Sequence, residues 1–162
     1  MMVVDVAGFA DVRAVAKNMR ESDFREFRAL MHVDTRDEMV SELTRRYVGQ
    51  DVIVARDGVT PIAIGRTLEA RPNVITLAFF ATDEFPRIGK PLTRFIRQRL
   101  FPSLRQAGVH RFECVSIVGH HEAHAWIQAI GLSEEAPLIG YGKNKEDFIQ
   151  FAWVSDACKT RA

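Results

Sequence analysis

At 162 residues the chain has the length of one globular domain and can bury a sizeable core. Hydrophobic residues make up 47% of it and charged residues 27%, which argues against a disordered chain. Twenty-two basic residues face 21 acidic ones, and this balance argues against nucleic acid as the main partner. No apolar stretch approaches the roughly 20 residues that span a bilayer, and no secretory signal is evident. We therefore expect a cytoplasmic protein with no membrane partner.

The first third of the sequence is predicted to be mostly helical after one short strand at residues 2–7. Three helices are predicted next, at residues 9–19, 22–32 and 35–47. Ser22 has the residue type of an N-cap for the second helix. Thr35 is expected to cap the third, where Glu38 three residues later completes a capping box.

Strands are expected from residue 52 onward. Three are predicted, at residues 52–55, 59–69 and 74–81, with turns at Asp57-Gly58 and at residues 71–73. Pro61 indicates a sheet edge or a bulge in the second of them. The third is apolar almost throughout, as expected of a central strand covered on both faces. Short turns between consecutive strands predict a meander.

The second half alternates helices and strands. We expect a helix at residues 91–107, a strand at 112–118, a helix at 119–130 and a hairpin of strands at 138–141 and 148–154. Pro102 should kink or restart the long helix. Two strand–helix–strand crossovers lie between Val74 and Tyr141, so parallel pairing is expected there. This order indicates an α/β fold in a single domain over residues 1–154, with a loosely held tail from Ser155 to Ala162.

A family resemblance is carried by residues 119–132. The acyl-CoA N-acyltransferases of the GNAT family often have the pattern Asn-x-x-Ala-x-x-Phe-Tyr-x-x-x-Gly-Phe in helix four and the strand after it. Three residues keep the expected places: Ala123, Trp126 and Gly131. Three others depart from it, with His120 for Asn, Ile127 for Tyr and Leu132 for Phe. The resemblance implies a GNAT fold, a mixed central sheet of six to seven strands with flanking helices, and acetyl transfer to an amine.

The same helix is similar to that of GNAT-like proteins encoded by bacteriophages. Some of these resemble small internal virion proteins of short-tailed phages, whose helix and Ile-Gly turn match at Gly119, His124, Ile130 and Gly131. This similarity implies an alternative function, a GNAT-fold virion component without catalysis, with phage structural proteins as partners. The protein would then occur in the host cytoplasm or in the virion.

The resemblance also implies where acetyl-CoA would bind. The family holds the CoA pyrophosphate on backbone N–H groups at the start of its long helix, where the helix dipole is positive. The matching stretch is residues 86–91, in which Pro86 and Pro91 depart from the family pattern. The residues so assigned to the cofactor are Phe80, Ala81, Thr82, Arg87, Ile88, Gly89, Lys90 and Trp126. A purely structural interpretation is also open. Residues 86–91 would then be a turn before a helix that begins at a proline, with Arg87 and Lys90 exposed to solvent, and Phe80 would be a core residue.

Acetyl transfer needs a base for the amine and a proton for the departing thiolate. The resemblance implies a glutamate base, for which the candidates are Glu84 and, after it, Glu69 and Glu113. Because Ile127 cannot supply the proton that the family's Tyr supplies, His121 and His124, which share a helix face, are the candidate acids. No third metal ligand is apparent beside these histidines, so no metal is expected.

Two functions stay open at this point. One is an acetyltransferase acting on a small amine or a protein amino group, and the other is a non-catalytic interaction component; either could form a homo-oligomer. Nucleic-acid binding would need a local basic patch, for which the chain offers Arg94, Arg97, Arg99 and Arg105. We expect these arginines to solvate the long helix instead.

Overall fold

The computed structural model describes residues 1–160. Its strands are β1 (Met2–Val6), β2 (Val52–Asp57), β3 (Thr60–Arg71), β4 (Val74–Ala81), β5 (Arg111–Ile117), β6 (Ser133–Leu138) and β7 (Phe148–Val154). Its α-helices are α1 (Phe9–Lys17), α2 (Glu21–Leu30), α3 (Arg36–Arg46), α4 (Gly89–Phe95), α5 (Phe101–Gln106), α6 (His121–Ala129) and α7 (Asp156–Lys159). None of the helices in this part of the chain has the length and apolar character to cross a membrane.

The seven strands form one mixed sheet in the order β1-β2-β3-β4-β5-β7-β6. Neighbouring strands pair antiparallel from β1 to β2, β2 to β3, β5 to β7 and β7 to β6, whereas β4 and β5 are parallel. The predicted mixed sheet and the parallel pairing at the first crossover are therefore confirmed. The parallel pairing expected at the second crossover is wrong, because β7 lies between β5 and β6 and pairs antiparallel with both.

The chain divides into two compact units. The first comprises residues 1–67 and 78–92, and the second comprises residues 68–77 and the chain from Thr93 onward. In the first unit the three N-terminal helices and the strands bury a common core, whose fully buried members include Val12, Val15, Leu43, Val52, Val54, Ile64 and Phe80. Burial of this apolar surface is the main favourable contribution to folding of the unit.

The start of α3 is set by a local capping residue, whereas the start of α2 is set by a tertiary contact. Thr35 caps α3 as predicted: its Oγ1 accepts a hydrogen bond from the Glu38 amide at 3.2 Å. The N-cap predicted at Ser22 is wrong, because α2 begins at Glu21 and its N-cap is Arg20, two residues before Ser22. Arg20 is held there by a buried carboxylate, described below.

The long helix predicted at residues 91–107 is interrupted. Its α4 and α5 parts are joined by a π-helical turn, Ile96–Leu100, in which the Phe101 amide donates to the Ile96 carbonyl. Pro102 follows at once, has no amide proton and clashes with a carbonyl four residues earlier in a regular α-helix. The wider π turn removes that clash, so the predicted restart at Pro102 is confirmed.

The second unit packs aromatic rings on its strands. Phe112 of β5 stacks on Phe101 with ring centroids 4.3 Å apart and lies 5.3 Å from the ring of Trp153 on β7. Phe148 and Phe151, also on β7, are fully buried. Because Phe112 pairs directly with Trp153, and Phe151 lies two residues before Trp153 on the same strand, these three rings lie on one face of the sheet. Phe148 lies on the opposite face.

The hairpin predicted from strands at residues 138–141 and 148–154 exists, but its first strand lies earlier, at Ser133–Leu138. Gly140 adopts a left-handed φ of 64°, and its amide donates to the Asp147 carboxylate at 2.8 Å. This contact closes the connecting loop before Tyr141 can extend the strand. The tail predicted from Ser155 contains the one-turn helix α7, and its residues 161 and 162 lie outside the described residues.

Tyr47 gives the core of the first unit a measurable pH dependence. Its side chain is only 8% exposed, its ring contacts Phe80, and burial raises the pKa of its phenol to about 12. Above pH 10 the unfolded chain ionises this phenol while the folded chain keeps it neutral, so stability falls as the pH rises from about 10 to about 12. At 1.36 kcal/mol per pKa unit the loss is about 3 kcal/mol.

The measurement is urea unfolding between pH 9 and 12 of the Tyr47→Phe and Tyr141→Phe variants. Tyr141→Phe should keep the loss and Tyr47→Phe should lack it. The same pH dependence in both variants would contradict the assignment to Tyr47.

Candidate functional site

The carboxyl end of β4, whose last residues the resemblance assigns to the cofactor, is hydrogen-bonded within the first unit. The Ala81 amide donates to Oδ2 of Asp23 at 2.9 Å, and the Ala81 carbonyl accepts from the Arg20 amide at 2.9 Å. The next residue, Thr82, donates its amide to the Ile62 carbonyl on β3. The backbone of Ala81 and Thr82, two residues that the resemblance assigns to the cofactor, is therefore hydrogen-bonded by the chain itself.

Arg20 and Asp23 form a two-pronged ion pair that the sequence analysis did not identify. Nε and Nη2 of Arg20 donate to the two carboxylate oxygens of Asp23, both at 3.0 Å. The side chains are 14% and 4% exposed, so the pair lies in a region of low dielectric, where loss of one partner leaves a buried charge. The Arg20 guanidinium also lies over the Phe85 ring, 5.2 Å from its centroid. The pair thus connects the start of α2, the end of β4 and the turn after it.

That turn uses most of its own amides. Those of Arg87 and Ile88 donate to the Glu84 and Phe85 carbonyls, both at 3.0 Å, in the 3₁₀ turn Phe85–Arg87. The Glu84 amide donates to Thr82 Oγ1, and the Leu92 amide to the Ile88 carbonyl. Pro86 and Pro91 have no amide proton. The predicted row of outward amides for pyrophosphate is therefore mostly committed to carbonyl and hydroxyl oxygens of the chain.

Gly89 begins α4 in a conformation that any residue could adopt. A Cβ built on it would lie 3.5 Å from the Phe85 ring, an ordinary contact distance. The chain itself therefore does not require glycine here. Lys90, the next residue, is exposed and forms no ion pair with any carboxylate among residues 1–160.

Arg87, predicted to bind phosphate, is held by two carboxylates. It lies 3.0 Å from Glu84 and 2.6 Å from Asp57. The hydrogen bond with Glu84 and the charge of Asp57 raise the pKa of Arg87, while the N-terminal ammonium and then Arg87 lower the pKa of Asp57. Glu84, the first candidate base, is thus itself paired with a cation. Phosphate at this turn would compete with both carboxylates for the same guanidinium.

The predicted residues of α6 lie in the second unit. Nε2 of His124 is 3.0 Å from the Ile117 carbonyl, and because a carbonyl only accepts, that nitrogen carries the proton. Its ring also contacts Phe151, whereas His121, 6.2 Å away, is exposed. Trp126 Nε1 donates to Thr93 Oγ1 at 2.9 Å. His121 is therefore the more accessible of the two candidate acids.

The two alternative bases have partners of their own. Glu69 accepts a hydrogen bond from the Asn73 amide at 3.2 Å and closes the turn between β3 and β4, where Asn73 has a left-handed φ of 65°. Glu113 pairs with Arg111 at 2.6 Å and with Arg71 at 3.3 Å. Both carboxylates stabilise the second unit, and neither geometry indicates a base.

Comparison with known proteins identifies the fold. No family model and no curated protein matches the sequence. Among solved structures, the GNAT-family acetyltransferase of Bacillus anthracis is similar with a TM-score of 0.71 and 12% identity, over 94% of each chain. The ribosomal-protein-S18-alanine N-acetyltransferase of Escherichia coli is similar with a TM-score of 0.62 and 18% identity, over 100% of this chain and 99% of that one. The protein yncA of Salmonella typhimurium, solved with acetyl-CoA, is similar with a TM-score of 0.66 and 15% identity, over 96% of this chain and 95% of that one.

The chain therefore has the GNAT fold, as the resemblance implied. At these identities the likeness concerns the fold alone. Sequence reasoning missed Arg20, Asp23 and Asp57, although Arg20 and Asp23 stand three residues apart as helical ion pairs often do. The pairing of Asp57 with Arg87 had no local signal, because the two residues are 30 positions apart in the sequence.

Replacement of Asp23 by Ala should destabilise the protein by about 3 kcal/mol, because it removes the partner of a buried guanidinium and the acceptor of the Ala81 amide. The matched variant is Glu21→Ala, which removes a carboxylate from the same helix that pairs with Arg36 at the surface. It should cost less than about 1 kcal/mol. Urea unfolding at neutral pH measures both, and equal losses would refute the anchoring role of Asp23.

Proposed function

We propose that the protein is an acetyl-CoA-dependent N-acetyltransferase that takes its cofactor at the turn between β4 and α4. The observation that carries the proposal is the GNAT fold, which extends over 94% or more of the chain in comparison with acetyltransferases. The similar protein yncA was solved with acetyl-CoA, which supports the same class of cofactor here.

Binding of the cofactor would draw on the start of α4. Lys90 is exposed there, and the first turn of a helix attracts anions through its dipole. Arg87 would turn from Asp57 or Glu84 toward a phosphate, an exchange of one charge-assisted hydrogen bond for another. Because these contacts must be exchanged, we expect an affinity in the micromolar range rather than tighter.

Bound acetyl-CoA supplies an acetyl thioester, whose acyl carbon the amine nitrogen attacks as the carbon–sulfur bond breaks. Glu84 would accept the proton that the amine loses, and its carboxylate is exposed enough to reach a solvent-borne acceptor. The proton for the departing sulfur is assigned to His121 by the resemblance alone. His124 has committed its Nε2 proton to Ile117, so only its Nδ1 could take part.

The acceptor class that we would test first is the amine of a peptide N-terminus. Two of the similar structures are named for the alanine of a ribosomal protein, one from Escherichia coli and one from Brucella melitensis. A set of short peptides that differ in the first residue, together with small primary amines, distinguishes a protein acceptor from a metabolite.

A specific observation favours a second candidate, a GNAT-fold interaction protein without catalysis. The amides of Arg87 and Ile88, the backbone of Ala81 and the guanidinium of Arg87 all have partners within the chain. Ile127, in the position of the family's Tyr, is a buried hydrocarbon side chain. A role in a phage particle remains a prediction from the resemblance.

Isothermal titration with acetyl-CoA and with free CoA tests the proposal. We expect micromolar binding of both. Gly89→Glu should abolish it, because a negative side chain at the start of α4 repels phosphate, and Val48→Glu, which adds the same charge at an exposed site after α3, should not change it. A folded protein that binds neither ligand up to about millimolar concentration would refute the proposal and favour the interaction protein.

Replacement of Asp57 by Asn should tighten acetyl-CoA binding about two- to fivefold, because it releases Arg87 from a competing carboxylate. Asp5→Asn is the matched control: it removes the same charge from a residue that pairs with Arg56. Titration of both variants gives the comparison. Equal affinities in the two variants would mean that Arg87 does not bind the cofactor.

A further inference from the structure

The two edge strands of the sheet, β1 and β6, differ in how they are protected from pairing with another chain. β6 contains Glu134, Glu135 and Pro137, and its pairing with β7 shifts register between Glu134 and Ala136. Charges, prolines and bulges of this kind keep an edge strand from accepting a further strand. β1 has a single charged residue, Asp5, and no proline, and it pairs with β2 in unbroken register. Within residues 1–160 no strand lies beyond β1, so its outer edge is open.

The hydrogen bonds between β1 and β2 establish which backbone groups of β1 face outward. The Ala7 amide donates to the Val52 carbonyl and the Gly58 amide donates to the Met1 carbonyl, both at 2.9 Å. Hydrogen-bonded and non-hydrogen-bonded residues alternate along an antiparallel pair, so the odd-numbered residues of β1 bond to β2. The N–H and C=O groups that point away from β2 belong to the three even-numbered residues of the strand: Met2, Val4 and Val6.

Apolar side chains are exposed at both ends of the same strand. At its carboxyl end Val6 is 49% exposed, and Phe9, the first residue of α1, is 68% exposed. At its amino end Met2 pairs with Asp57, next to the β2–β3 turn, in which Val59 is 91% exposed. Apolar side chains exposed close together are typical of a surface that contacts another protein.

We propose that two copies of this chain associate through β1, paired antiparallel about a two-fold axis that passes between their Val4 residues. In this register Val4 lies opposite Val4 of the second copy, and Met2 lies opposite Val6. All three outward-facing residues of each strand then pair, and each of the three pairs forms two hydrogen bonds. A register shifted by two residues in either direction would form only two of these pairs. A shift by one residue would turn the paired side chains to opposite faces of the sheet.

The charges on the two strands favour this register and a second copy as the partner. Asp5 lies opposite Val3 of the second copy, and Val3 pairs with Arg56 on β2. Each Asp5 is therefore in one cross-strand row with Arg56 of the other copy, so opposite charges approach each other. The register centred on Asp5 would instead place two carboxylates opposite each other, which is unfavourable. The strand is thus complementary to itself in charge as well as in backbone groups.

The exposed apolar side chains match in the same way. Antiparallel pairing brings the end of β1 that carries Val6 and Phe9 toward the end of the second strand that lies beside Val59. One two-fold operation therefore serves both ends, as a closed dimer requires. The contact is small, because a strand of 5 residues is about 17 Å long. We expect a weak dimer, with a dissociation constant on the order of 10 µM.

Sedimentation velocity of the full chain between about 1 and 500 µM tests the proposal, with a concentration-dependent shift from monomer to dimer expected. Val6→Lys places a lysine on the open edge and should raise the dissociation constant at least tenfold. Its backbone groups face away from β2 and its side chain is exposed, so the fold should persist, as circular dichroism can verify. The matched variant Val48→Lys makes the same change at an exposed site after α3 and should alter the constant less than about twofold.

Crosslinking tests the register in a variant whose own cysteines, Cys114 and Cys158, are replaced by alanine. The Cα atoms of the two Val4 residues would lie about 5.5 Å apart, within the range that a disulfide spans. Those of the two Val6 residues would lie about 14 Å apart, because they are four positions out of register. On mild oxidation Val4→Cys should therefore give a covalent dimer, and Val6→Cys should not.

Three results would overturn the proposal: a wild-type protein that stays monomeric throughout the concentration range, equal weakening by the two lysine variants, or crosslinking of Val6→Cys as readily as of Val4→Cys. The outcome is independent of the acetyl-CoA titration, because no residue of β1 belongs to the turn tested there. Failure of one proposal therefore leaves the other standing.

Discussion

The arrangement at the end of β4 depends on one buried carboxylate. Asp23 is 3% exposed, and a charge at that depth requires compensation. Arg20 supplies the opposite charge through two hydrogen bonds, and the Ala81 amide supplies a third. Because these partners come from the start of α2 and the end of β4, the requirement holds a helix and a strand in one arrangement. The turn after β4 is connected to the same ion pair, because the Arg20 guanidinium lies over the Phe85 ring.

Hydrogen bonds within the chain also occupy the groups that the resemblance assigns to the cofactor. A GNAT fold presents a strand end and a helix start to a cofactor, yet here the chain's own groups use the Ala81 backbone, the Arg87 and Ile88 amides and the Arg87 guanidinium. Each such contact must be exchanged before a ligand can use the group, and the exchange subtracts from binding free energy. At these identities the shared fold does not by itself establish an activity.

Arginine serves two distinct purposes in the chain. Most arginines, such as Arg20 and Arg111, are paired with carboxylates and connect elements distant in sequence. Others have no carboxylate partner among residues 1–160: Arg97 donates to the Ala129 carbonyl, and Arg105 lies over the Trp153 ring. A count of charges over the whole chain averages these two groups and so conveys nothing about either.

The sequence by itself determined the elements with strong local signals. Thr35 and Glu38 indicated a helix start, Pro102 a helix interruption, and the apolar run at residues 74–81 a central strand, since each signal acts within a few residues. Tertiary structure decided what depends on distant partners: the start of α2 at Arg20, the place of β7 between β5 and β6, and the pairing of Arg87 with Asp57. Whether a predicted site residue is available for a ligand belongs to this second group, because availability is set by which residues the fold brings to it.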